Sequence, residues 1–147
     1  MEDLSFTKEN TLFKAEVNNW EEGVKVAGQL LVKQGCVKPE YVDNIIKAIK
    51  NYGPYVVIAD GIAIPHTRPD EGALETGCAL VTLKEPVCFE DDDTKVHVLI
   101  AFSAVDNNKH LDLLKTIVEF IELGLIEDIA KVDNYDEFLQ LCGNSIK

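Results

Sequence analysis

Residues 95–114 read KVHVLIAFSAVDNNKHLDLL. The first eleven form the most apolar run in the chain, as expected of a β-strand covered on both faces. Asp106 then marks a helix N-cap, and Leu111, Leu114, Val118 and Ile121 recur at i, i+3, i+7 and i+10, the spacing of an apolar stripe. A buried strand running straight into a helix points to an α/β domain. It also puts the helix start, with His110 within its first turn or so, at the carboxyl end of a sheet strand. Ligands of open α/β sheets gather at such ends, and helix N-termini favour anions. His97, inside the strand, reads as a packing residue.

Upstream, GCALVTL (77–83) predicts another strand, and YVVIA (55–59) and GIAI (61–64) predict two more separated by the Asp60-Gly61 turn. NTLFKAEVNN (10–19) carries Leu12, Phe13, Ala15 and Val17, a first strand. Asn19 with Glu22 forms a capping signature for a helix whose Trp20, Val24, Ala27 and Leu31 share one face, with Gly35 as its C-cap. Pro39 opens a second helix with the stripe Val42, Ile45, Ile46 and Ile49, stopped by YGP at 52–54. Asn134 and Glu137 repeat the capping pattern before a last helix containing Phe138 and Leu141. No linker, repeat or low-complexity segment interrupts residues 1–147. The expectation is a single three-layer α/β/α domain, a mixed β-sheet flanked by helices on both faces.

Composition narrows the function. A chain of 147 residues with 46% hydrophobic and 27% charged residues has the make-up of a globular protein with one substantial core. No stretch approaches the roughly 18–20 consecutive apolar residues that span a bilayer. The acidic opening MEDLSFTKEN is no secretory signal, so a cytoplasmic location is expected. A net charge of −12 argues against nucleic acid and against insertion at an anionic membrane surface. The four cysteines, Cys36, Cys78, Cys88 and Cys142, show no CxxC pair or metal-finger spacing and are expected to be reduced thiols. EDDD at 90–93 reads as a solvated loop, because no EF-hand spacing follows it.

The chemistry concentrates in GIAIPHTRPD (61–70), which holds one of the three histidines and the single arginine. His66 can be a metal ligand, a general base, a nucleophile, or a histidine that merely packs in a turn. No HExxH or matching His/Cys spacing supports a metal, and no G-x-S-x-G elbow supports hydrolysis. A neutral imidazole is a competent nucleophile near pH 7. Pro65 stiffens the approach to His66. Arg68, two residues on, falls on the same side in an extended segment, where its planar fork suits phosphoryl oxygens. A plain surface arginine and a histidine packed at a helix start are the alternatives for Arg68 and His110.

GIAIPHTRPDEG with AVDNNKHLDLL downstream resembles the enzyme IIA domains of the mannitol–fructose class of the bacterial sugar phosphotransferase system. NNWEEGVKVAGQLLVKQGCVKPEYVDNII resembles that class's opening helices, so the likeness covers nearly the whole chain. GPYVVIADGIAIPHTRPD is closer to the L-ascorbate branch than to the mannitol branch. The resemblance implies that His66 accepts a phosphoryl group from phospho-HPr and passes it to a cysteine of enzyme IIB. It implies that His110 stabilises the phosphate, with neither metal nor cofactor and no direct contact with the sugar. Mannitol-type members carry an arginine at the end of the helix before the motif, where this chain has Lys47, Lys50 and Asn51. Arg68 is the candidate replacement, and Thr67 adds a hydroxyl or backbone N–H donor. Two other roles suit the same fold: a regulatory phosphoacceptor controlling a protein target, and a non-catalytic module of anion-exchanger type.

Overall fold

In the computed structural model, which describes residues 6–90 and 92–146, the chain begins with β1 (Thr11–Ala15), α1 (Trp20–Lys33) and α2 (Pro39–Tyr52). The strands β2 (Val57–Ala59), β3 (Gly61–Ala63), β4 (Gly77–Val87) and β5 (Val96–Ser103) follow. The helices α3 (Asn107–Glu122), α4 (Ile126–Lys131) and α5 (Tyr135–Ile146) complete it. The strand order is β1-β4-β5-β3-β2. β1 runs parallel to β4 and β3 parallel to β5, while β4 pairs antiparallel with β5 and β2 with β3. The sheet is mixed, as expected. Met1–Ser5 of the acidic opening and Asp91 of EDDD lie outside the described residues.

β5 shows why the sheet is covered twice. Leu99 and Ala101 point into a core with Trp20, Val24 and Leu31 of α1 and Tyr41, Ile45 and Ile49 of α2. Val98, Ile100 and Phe102 point the other way, into a core with Leu113 and Ile117 of α3, Ile129 of α4 and Phe138 of α5. Alternation at a period of two thus serves both layers, each buried Leu or Ile contributing roughly 1.5–3 kcal/mol. On the first face α1 and α2 approach closely at Gly28, where an added Cβ would lie 2.6 Å from Val42 Cγ2.

The caps form where the sequence signals them. Asn19 accepts the Glu22 N–H at 3.0 Å, Asp106 the Lys109 N–H at 2.8 Å, and Asn134 the Glu137 N–H at 2.9 Å. Gly35 takes the left-handed conformation just past α1 (φ 76°).

Two expectations need correction. The apolar stripe of α3 is rotated: Leu111 and Val118 are 55% and 44% exposed, while Leu113 and Ile117 are fully buried and Leu114 and Ile121 half-buried. The sequence carries two overlapping helical stripes there, and only packing against Ile100 and Phe102 selects between them. The second correction is α4, a six-residue helix missed by periodicity because it is too short to display it and has no side-chain N-cap. Leu125, Ile126 and Ile129 hold it to the sheet.

Candidate functional site

β3 ends at Ala63, and Ile64-Pro65-His66 continues from it beside the carboxyl end of β5. The Phe102 N–H donates to the Pro65 carbonyl at 3.2 Å, which ties the turn to the strand. The His66 ring then lies flat on Phe102, with centroids 4.5 Å apart and an interplanar angle of 19°. Its Nδ1 is 2.6 Å from the carbonyl oxygen of Ile64. Two lone pairs would repel at that distance, so Nδ1 carries the proton and the free lone pair sits on Nε2.

His110, in the first turn of α3, meets the His66 ring edge-on at 5.1 Å between centroids, and Phe102 at 5.4 Å. Burial of the ring pushes the His66 pKa down to about 4, with a smaller lowering from His110, against the raising effect of the Ile64 carbonyl. Burial lowers His110 as well. Both imidazoles are therefore neutral at pH 7.

A cavity of about 340 Å³ opens over this pair, lined by Ala48, Tyr52, Tyr55, His66, Thr67, Arg68, Glu71 and His110. Four of these, His66, Thr67, Arg68 and His110, are the candidates singled out by the sequence. His66, His110 and Arg68 do share the cavity. The Arg68 side chain is 75% exposed and is turned to Asp70, Nη2 to Oδ2 at 2.7 Å. That pair is solvated and weak, so the fork is free to exchange partners. Lys47, Lys50 and Asn51 do not line the cavity, and Lys50 pairs instead with Glu21 on α1 at 3.2 Å. Arg68 is the one permanent cation among the lining residues.

Thr67 differs from the expectation. It is only 6% exposed, its N–H donates to the Tyr41 hydroxyl at 3.2 Å, and its own hydroxyl donates to Glu71 at 3.1 Å. Both donors assigned to an incoming phosphate are already engaged, which makes Thr67 a fixture of the turn.

The residues that hold the turn were not anticipated. Tyr41, fully buried on α2, donates to the Phe102 carbonyl at 2.9 Å and has the Thr67 carbonyl at 3.1 Å. Burial raises its pKa far above the usual phenol value, so it stays a donor. The Tyr55 hydroxyl donates to the His66 carbonyl, and its ring stands edge-on to the imidazole at 5.5 Å. Tyr41 lies beside the α2 stripe in sequence and belongs to no motif, and Tyr55 was legible only as the start of a strand. Among the described residues no group of three or more His, Cys, Asp or Glu is placed to hold a metal ion, and no helix is long and apolar enough to cross a membrane.

Known proteins are similar to this chain in sequence and fold. The family model of the phosphoenolpyruvate-dependent sugar phosphotransferase system EIIA 2 matches residues 4–145. An ascorbate-specific PTS system EIIA component of Salmonella choleraesuis is 41% identical over 131 residues, 88% of this chain and 82% of the relative. The crystal structure of a PTS IIA protein (PtxA) from Streptococcus mutans superposes with a TM-score of 0.84 at 33% identity, covering 94% of this chain and 89% of that one. A complex of enzyme IIAMTL and phosphorylated enzyme IIBMTL from Escherichia coli gives 0.83 at 28% identity, covering 96% and 99%. The chain belongs to the EIIA 2 family of the sugar phosphotransferase system and is a phosphotransferase component of that system.

Proposed function

We propose that the chain carries a phosphoryl group on Nε2 of His66, received from phospho-HPr and delivered to a cysteine of enzyme IIB in the uptake of L-ascorbate. The observation that carries this reading is the 2.6 Å approach of His66 Nδ1 to the Ile64 carbonyl in a ring held neutral by burial. The relatives named for ascorbate support the substrate assignment, and the IIA–IIB complex among the structural neighbours supports the acceptor.

In the forward step the Nε2 lone pair attacks phosphorus as the P–N bond to the donor histidine breaks. Nδ1 keeps its proton throughout, so phospho-His66 retains its bond to Ile64. Phosphoryl transfer asks mainly for alignment and charge stabilisation. The Phe102 face and the Ile64 carbonyl supply the alignment. His110 donates an N–H to a phosphoryl oxygen, and Arg68 leaves Asp70 to hold another. In the second step a thiolate of enzyme IIB attacks phosphorus and the electron pair returns to Nε2.

Incubation with phospho-HPr followed by intact-mass measurement tests the reading. It expects the gain of one phosphoryl group, lost again on addition of the ascorbate-type enzyme IIB. A phosphoprotein that fails to discharge to enzyme IIB and binds a regulator instead would favour the regulatory role. No gain in mass would favour the non-catalytic module.

A further inference from the structure

A second cavity lies away from His66. It measures about 500 Å³, within the range of small-molecule sites, and Lys14, Lys84, Lys95, Lys131 and His97 converge on it. Asp60 and Glu127 are the acids that face it, leaving an excess of two positive charges in a chain of net charge −12. His97 and Phe102 lie five residues apart on β5, so the two sites stand about 17 Å from each other.

The backbone is shaped for this cavity. Strand pairing is irregular in three places at this end of the sheet, and each irregularity supplies a basic side chain to the lining. On β1 the register shifts between Leu12 and Ala15, and Lys14 sits within the shift. On β4 it shifts between Thr82 and Val87, around Lys84. On β5 the partners Val96 and Val98 face successive residues of β3, so His97 is the extra residue. Bulges re-aim side chains and cluster beside functional sites.

Lys14 adds strain to the pattern: its φ of 58° is the one left-handed non-glycine conformation among the described residues. Its N–H donates to the buried Thr82 hydroxyl at 2.8 Å, and its Nζ crosses to the Ala130 carbonyl at 3.0 Å. Lys84 forms an exposed pair with Glu16 at 3.1 Å, while Lys95 and Lys131 have no ion-pair partner among the described residues. The floor is apolar, from Leu83, Ile126 and Ala130.

We propose that this cavity is a second ligand site that binds a small hydroxylated organic phosphate. Lysine ammonium groups hold phosphate as point charges, and the Asp60 and Glu127 carboxylates are acceptors for hydroxyl groups. The volume exceeds that of an inorganic ion, and the apolar floor suits a carbon skeleton. The site does not depend on the role of His66.

Glucose 6-phosphate serves as the probe, titrated into the uniformly ¹⁵N-labelled full chain, with glucose and inorganic phosphate in parallel. The expected result is saturable amide shifts at Gly61, Lys95 and His97 with the phosphorylated sugar, about tenfold weaker binding of inorganic phosphate, and no shifts with glucose. A Lys95→Gln/Lys131→Gln double variant weakens binding about tenfold or more, with melting temperature and phosphate uptake from phospho-HPr unchanged. Absence of saturation, equal binding of inorganic phosphate, shifts with glucose, or shifts centred on His66 would each overturn the proposal, as would an unaffected double variant.

Discussion

His66 Nδ1 lies 2.6 Å from the carbonyl oxygen of Ile64, two residues earlier in the same chain segment. A single backbone acceptor thereby fixes the tautomer and leaves the Nε2 lone pair free, in a ring that lies on Phe102 and lines the cavity shared with His110 and Arg68. The proposed chemistry rests on a local bond, in a turn whose Pro65 and Thr67 are anchored to β5 and α2.

Acid should destabilise the fold through His66. Its folded pKa of about 4 lies below the ordinary value of 6.5, so between those limits the unfolded chain binds more protons. The stabilising contribution is complete above pH 6.5 and is lost as pH falls towards 4, by up to about 1.4 kcal/mol per pH unit. Denaturant unfolding of wild type and His66→Gln across this window separates His66 from the carboxylates, which titrate in both. Wild type is expected to lose more stability on acidification. Parallel pH profiles would show that the ring is not held neutral by burial.

His110→Ala should still take phosphate on His66, because the nucleophile and its orienting carbonyl remain. Loss of one N–H donor to the phosphoryl group in a water-excluded site costs about 10²–10³-fold in rate. The cavity here is open until a partner docks, so the expected slowing is about tenfold to a hundredfold. Rapid-quench transfer from phospho-HPr and to enzyme IIB measures it, and wild-type rates in both directions would return His110 to a packing role.

Tyr41→Phe removes a hydroxyl that serves the Thr67 N–H and the Phe102 carbonyl from a fully buried position. Leaving such groups unpaired costs about 1–3 kcal/mol. Thermal unfolding should shift down by about 2–4 °C for each kcal/mol in a domain of this size. An unchanged melting temperature would mean that the turn is held by other contacts.

The legible parts of this protein were those encoded locally. Asn19, Asp106 and Asn134 each cap the helix that follows because the cap and the N–H it accepts are three residues apart. The apolar run at 95–105 identified the doubly covered strand, and the proline-flanked His66 and helix-start His110 were singled out as two residues that the fold brings to one cavity. What stayed hidden depends on distant partners. The face of α3 follows from Ile100 and Phe102 and not from its own stripe. Thr67 looked like a free donor because Tyr41, 26 residues away, and the side-chain rotamer of Glu71 have no local signature. The basic cavity needs Lys14, Lys84 and Lys131 brought together from β1, β4 and α4 with Lys95 from just before β5, and no motif joins them.

The central claim is that Nε2 of His66 is the nucleophile because Nδ1 is committed to Ile64. The measurement that tests it most directly is NMR of the histidine-¹⁵N-labelled chain after phosphorylation by phospho-HPr, reading which ring nitrogen carries phosphorus. The account predicts phosphorus on Nε2 of His66, with Nδ1 still protonated and His110 unmodified. Phosphorus on Nδ1 of His66, or on His110, would contradict it.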